Sequence, residues 1–292
     1  MGEIAEALKR ATDAAAVAPT PTPAATPAPA QTRRSPRPPE PSMPRARHEA
    51  NEPDGSMTLA DLRPLDPAVV VDEGPQLEKC RHLALRVRKE LELRGAGSLA
   101  ITSGMRDEGK TTVICNLAIA LASISRGRRV ALVDLDLRKP SLAEVLGVKE
   151  GCGIEQVLSG KSSLDEARVS VERPQVDIFP AYEPQRGAHE LFVLPRFTEI
   201  VSELSNAYDV VLVDTPPTLL VPDTTLILSQ VNACLPIARV GHTRARAFRQ
   251  MLDLLPRKQI LGELMNGARA SRFSSDHYYY QTPATVAVDR EA

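Results

Sequence analysis

Ser103-Gly104-Met105-Arg106-Asp107-Glu108-Gly109-Lys110-Thr111-Thr112 fits the pattern GxxxxGK[ST] without a gap. The apolar run 99–102 precedes it and a helical pattern over 111–125 follows it. In a strand–loop–helix setting the glycines let backbone N–H groups wrap phosphates, and the helix N-terminus adds its positive end. Gly104, Glu108, Gly109, Lys110, Thr111 and Thr112 are therefore the candidate nucleotide contacts. Lys110 is expected to reach the β and γ phosphates and Thr111 to hold Mg²⁺. A glycine-containing turn with a surface lysine would explain the glycines but not the setting.

Working outward, further apolar runs at 130–133, 176–179, 210–213 and 233–240 alternate with helical patterns at 77–93, 197–206 and 244–255. Alternation of this kind predicts an α/β fold, a mostly parallel sheet with helices on both faces. Two of the runs end in acids: Val133-Asp134-Leu135-Asp136 and Val213-Asp214-Thr215-Pro216. Ligands of such sheets bind beyond the carboxyl ends of the strands, so Asp134, Asp136 and Asp214 should converge on the loop. Mg²⁺ beside phosphates needs carboxylate oxygens, which makes Asp136 and Asp214 candidate metal groups. Pro236 removes a ladder hydrogen bond and predicts an irregular or edge position for its strand.

The chain divides into a short helical pattern at 1–15, a Pro/Ala-rich disordered linker at 16–70, a nucleotide-binding domain at 71–267 and a flexible tail at 268–292. The linker carries Pro19-Thr20-Pro21-Thr22-Pro23 and Pro36-Arg37-Pro38-Pro39, too little apolar surface to offset its ordering entropy. Among 292 residues, 36 Lys and Arg face 37 Asp and Glu, so no basic excess argues for nucleic acid. No run of about 18 apolar residues predicts a spanning helix, and a cytoplasmic protein is expected. Cys80, Cys115, Cys152 and Cys234 show no paired spacing and read as buried thiols. Tyr278-Tyr279-Tyr280 stand in a polar segment without apolar support, which reads as a phospho-acceptor tail rather than an aromatic plug.

The loop, the VDxDxR segment from Val133 to Arg138, the YDVVLVDTPP segment from Tyr208 to Pro217, the GHTR segment from Gly241 to Arg244 and Met265-Asn266-Gly267 together resemble the bacterial tyrosine kinases of capsular and exopolysaccharide synthesis. These are P-loop proteins akin to the partitioning and cell-division-site ATPases. The resemblance runs from about Leu77 to the end. It implies ATP and Mg²⁺ as cofactors, with Lys110 on the phosphates, Thr111 and Asp214 at the metal, and Asp134 accepting the tyrosine proton beside Asp136. It implies an adenine contact at Asn266 and autophosphorylation of Tyr278, Tyr279 and Tyr280 on a neighbouring subunit. A phosphorylated tail should be repelled from an acid-lined site. The implied partners are a homo-oligomer, protein-tyrosine substrates and a separate membrane-anchored polysaccharide co-polymerase or activator, which would hold the chain at the inner face of the membrane. Members carry Glu-x-x-Arg-x-x-Arg in a subunit-contact helix; here Glu78 and Arg81 fit and Ala84 does not. Rival readings are a partitioning-type ATPase, which typically has a lysine where Met105 stands, and a non-catalytic nucleotide-binding adaptor.

Overall fold

The computed structural model describes residues 64, 66, 68–69, 75–124, 127–172 and 174–268. The expectations for the helix at 1–15, most of the linker and the tyrosine cluster lie outside the described residues. In chain order the elements are α1 (Pro75–Arg94), β1 (Ser98–Ser103), α2 (Lys110–Ile124), β2 (Val130–Asp134), α3 (Leu142–Leu146), α4 (Ile154–Leu158) and α5 (Leu164–Ala167). There follow β3 (Val169–Glu172), β4 (Gln175–Phe179), α6 (Ala188–Val193), α7 (Pro195–Ala207), β5 (Val210–Asp214), α8 (Asp223–Leu228), β6 (Ala233–Arg239), α9 (Ala245–Leu254) and β7 (Leu264–Asn266).

The strands form one sheet in the order β3-β4-β2-β5-β1-β6-β7. All pairs are parallel except β3 with β4. The central strands β1, β2 and β5 are buried at every position, as continuous apolar runs in a doubly covered sheet should be. Their alternate residues feed two cores. Leu99 and Ile101 join the core containing α1 and α2; Ala100, with Val133 and Val213, joins the core of the opposite face. On that face α7 buries Phe197, Ile200 and Leu204, spaced as one helical stripe.

Several sequence expectations are refined here. Helix α1 buries Leu77, Ala84, Val87 and Leu91, whereas Leu85 is outside the stripe and exposed. Ala84 has no exposed surface, so an arginine there would need its guanidinium buried in the core. Glu78 and Arg81 form an i,i+3 ion pair at 3.2 Å on the helix surface. Pro236 lies in a strand paired on both sides, not at an edge. The N–H and carbonyl of Cys234 bond to Gln259 and Leu261, so alternation puts the Pro236 nitrogen on the same outer side. The outer neighbour is interrupted there, between the bridge at Ile260 and the start of β7 at Leu264. Cys115 and Cys234 are buried, but Cys80 and Cys152 are partly exposed. Among the described residues no helix is long and apolar enough to cross a membrane.

Candidate phosphate-loop site

The loop between β1 and α2 lies at the carboxyl ends of the strands, beside the ends of β2 and β5, which pair through Asp134 and Asp214. It borders a cleft of about 290 Å³ lined by Arg106, Lys110, Arg138, Lys139 and Arg239 as cations and by Asp107 and Asp136 as carboxylates. Thr111, Thr112 and Ser141 supply hydroxyls to the same lining. A polyanion fits such a surface better than a neutral ligand. The acid-lined site foreseen from the sequence is therefore corrected: Asp134 and Asp214 have no exposed surface, and the cleft itself is mostly cationic.

The loop is shaped by bonds to its neighbours. Gly109 has φ +88°, and a Cβ there would lie 2.2 Å from Asn266 Nδ2, so only glycine fits. Asp107 also adopts a positive φ of 60°, uncommon for a residue with a side chain. Its carbonyl accepts from Arg239 Nη1 at 2.8 Å. Glu108 is fully buried; its carboxylate accepts from the Met105 N–H at 2.8 Å and from the Thr243 hydroxyl. Asn266 Nδ2 donates to the Glu108 carbonyl at 3.0 Å, and His242 Nε2 lies 3.3 Å from the Arg106 carbonyl. From the other side, the Thr218 N–H donates to the Ser103 carbonyl and the Leu219 N–H to that of Gly104. The Glu108 side chain thus points into the loop rather than the cleft. Asn266, expected at the adenine, ties the end of β7 to the loop and is not part of the cleft lining.

Lys110 begins α2, is 7% exposed and faces the cleft. Thr111 Oγ1 donates to Asp214 Oδ2 at 2.5 Å and meets Ser141 Oγ at 3.0 Å. Burial pushes the Asp214 carboxyl up to about 6, against the lowering effects of Lys110 and the Thr111 hydrogen bond. Asp136 is likewise raised, first by burial, with Lys110 again opposing. Asp134 is raised well above the usual range by burial and by Asp214. Its oxygens accept from the backbone N–H groups of Asp136, Ser141 and Leu142 at 3.1–3.2 Å. Asp134 is enclosed and its carboxylate holds the turn into α3, while Asp136 lines the cleft.

Sequence reasoning missed one partner. Arg138 forms a two-pronged pair with the fully buried Asp223 at the start of α8, at 2.7 and 3.1 Å. Nothing in the spacing between them signals this contact. Tyr208 is 7% exposed and donates to Asp177 Oδ2 at 2.7 Å, and Tyr182 donates to the Lys149 carbonyl at 2.7 Å. Burial raises the Tyr182 hydroxyl to about 12 and raises that of Tyr208 further.

Buried carboxylates raised by desolvation, a threonine bonded to one of them and a cationic cleft above are what a divalent cation with a polyphosphate would complete. The residues therefore fit Mg²⁺-nucleotide. Fold, loop and strand-end acids together define a P-loop nucleotide-binding protein, and a family model described as an AAA domain matches residues 104–239. The tyrosine-protein kinase YwqD of Bacillus subtilis is 30% identical over 184 residues, covering 62% of this chain and 77% of YwqD. The chain belongs to the bacterial tyrosine-protein kinases. The succinoglycan biosynthesis transport protein ExoP of Rhizobium meliloti is 29% identical over 173 residues, 58% of this chain but only 22% of ExoP. Among solved structures, the kinase domain of the Escherichia coli tyrosine kinase ETK superposes with a TM-score of 0.64 at 27% identity, covering 70% of this chain and 81% of that one. The septum site-determining protein MinD of Pyrococcus horikoshii, solved with Mg-ADP, gives 0.50 at 26% identity over 58% of this chain and 69% of that one.

Proposed function

We propose that the chain is an ATP- and Mg²⁺-dependent protein-tyrosine autokinase that regulates synthesis or export of a surface polysaccharide. The observation that carries this reading is the meeting of Lys110, the Thr111–Asp214 pair and Asp136 at one cationic cleft, in a chain of tyrosine-kinase kinship. Mg-ATP would supply the phosphoryl group and the divalent charge. Lys110 then holds phosphate oxygens, and Thr111 and Asp214 hold the cation. Asp136, the strand-end carboxylate with access, would take the proton of the acceptor tyrosine as the tyrosine oxygen bonds to the γ-phosphorus and the bond to the departing ADP oxygen breaks. Burial makes Asp136 a better base than an exposed carboxylate. Positioning and charge neutralisation carry most of the rate, so Lys110 outweighs the base. Asp134 keeps the turn after β2 in shape.

Tyr278, Tyr279 and Tyr280 are the proposed acceptors on a neighbouring copy, since Tyr208 is buried and Tyr182 is hydrogen-bonded. Added phosphate charge on the tail would be opposed by bound nucleotide, which gives a reversible assembly switch. ExoP's role in succinoglycan transport supports the polysaccharide setting. A separate membrane-anchored activator, reached by the amino-terminal segment, is the proposed partner that holds the chain at the inner face of the membrane. Incubation with ATP and Mg²⁺ followed by phosphotyrosine mapping tests the reading. Labelling within 278–280 is expected; ATP hydrolysis with no phosphotyrosine would favour the positioning-type ATPase that the likeness to MinD leaves as the second reading.

A further inference from the structure

The end of the Pro-rich region reaches the phosphate loop through one residue. Asp66 Oδ2 accepts from the Thr112 hydroxyl at 2.6 Å, and Thr112 lines the nucleotide cleft. The contact is part of a docked segment. The Ala68 N–H donates to Asp66 Oδ1 at 2.9 Å, the Val69 N–H to the Asp66 carbonyl at 3.0 Å, and Asn116 Nδ2 to the Ala68 carbonyl at 2.9 Å. Val69 is 6% exposed and belongs to the core that α2 shares with α1. Asp66 also raises the Cys115 thiol, one turn along α2, behind burial and the two strand-end acids Asp214 and Asp134. Its charge is therefore felt at Cys115, one turn beyond Thr112 along the phosphate-binding helix.

A threonine hydroxyl carries one proton. While Thr112 gives it to Asp66, that proton is withheld from a phosphate oxygen in the cleft. The carboxylate behind it opposes the incoming negative charge as well. Apolar packing of Val69 and the Asn116 bond add to the Thr112 contact in holding the segment against α2.

We infer that Asp66 is a positioning residue that acts through Thr112 to weaken nucleotide binding, and that nucleotide in turn loosens the segment carrying Asp66, 68 and 69. The inference rests on the nucleotide-binding reading of the loop. It makes the connection between the Pro-rich region and the kinase domain a sensor of nucleotide occupancy, because coupling between two sites is reciprocal.

The test is calorimetric titration of the full chain with Mg-ADP, comparing wild type, Asp66→Asn and Asp66→Ala, with amide hydrogen exchange at Val69 measured with and without nucleotide. Both substitutions are expected to tighten Mg-ADP binding about three- to tenfold. In turnover assays they should lower KM for ATP and leave kcat within about twofold. Wild-type Val69 should exchange faster when Mg-ADP is bound. If wild type binds Mg-ADP and both variants bind it equally or more weakly, the inference is overturned while the nucleotide reading stands. If wild type binds no nucleotide, the reading of the loop falls and takes the inference with it. Should either variant unfold, Val69 exchange in wild type decides alone, and slower or unchanged exchange with nucleotide overturns the proposal.

Discussion

The two flanks of the phosphate loop are built on opposite principles. On the β6–β7 side, Arg239, His242, Thr243 and Asn266 bond to the backbone of residues 106–108 or to the buried Glu108 carboxylate. On the β2–β5 side, Asp134, Asp136 and Asp214 are crowded, desolvated and raised, with Lys110 as the cation that eases Asp136 and Asp214. The first flank fixes a shape; the second stores an electrostatic imbalance that a divalent cation would relieve. Substitutions on the first should change affinity, and substitutions on the second should change chemistry and the pH dependence of stability.

The largest effect should come from Lys110→Met. Loss of a cation that eases both Asp136 and Asp214 should cut phosphoryl transfer on the order of 10²–10³-fold. Stability at pH 7 should drop by about 1 kcal/mol and recover as pH falls below about 6, where Asp214 takes up its proton. Wild-type transfer rates in this variant would break the division between the flanks.

Arg138→Ala should come next, this time in stability. Asp223 is wholly buried while Arg138 is 31% exposed, so the pair is partly screened. Leaving the carboxylate unpaired should still cost about 2–3 kcal/mol, read as a lower urea midpoint with unchanged slope. An unchanged midpoint would mean that Asp223 has another means of neutralisation.

Asp214→Asn should act in the opposite direction on the nucleotide-free protein. The carboxyl titrates near 6 folded against 3.8 as a free side chain. The folded state therefore binds the proton more tightly, and this group's stabilisation is full below about pH 3.8 and lost as pH rises through about 6. At pH 7 the ionised group is a burden of about 1–3 kcal/mol, which asparagine removes. A higher melting temperature is expected at pH 7, with little gain at pH 4, together with a higher Mg²⁺ requirement for phosphoryl transfer. Equal gains at both pH values would contradict the stored imbalance.

The smallest effect should be Thr243→Val, which removes one donor to Glu108. KM for ATP should rise about five- to tenfold, roughly 1 kcal/mol, with kcat nearly unchanged and recovery in Thr243→Ser. A fall in kcat at constant KM would place this flank in the chemistry after all.

The same contrast explains what could be seen in the sequence. The loop, the buried strands and the converging acids were legible because backbone wrapping, parallel pairing and strand-end placement are local or periodic demands that residues 98–112, 130–136 and 210–214 meet on their own. Asp134 and Asp136 differ only in which side of the turn they face, and only the packing of α3 against Asp134 decides that. Glu108 and Asn266 were placed at the ligand because motif position says nothing of side-chain direction; Thr243 and Gly109 set that direction. β3, β7 and the short helices α3–α6 and α8 were missed because they have too few residues to show a period. The Arg138–Asp223 and Asp66–Thr112 contacts join positions far apart in the chain and leave no local trace.

The central claim is that this cleft transfers phosphate to the tyrosine cluster of another copy. Lys110→Met protein, with its tyrosines intact, should be mixed with active protein in which Tyr278, Tyr279 and Tyr280 are all Phe, in the presence of Mg-ATP, and residues 278–280 of the Lys110→Met chain assayed for phosphotyrosine. The account predicts labelling of that chain, and none when the active partner also carries Lys110→Met. No labelling from a folded, nucleotide-binding partner would contradict transfer between copies.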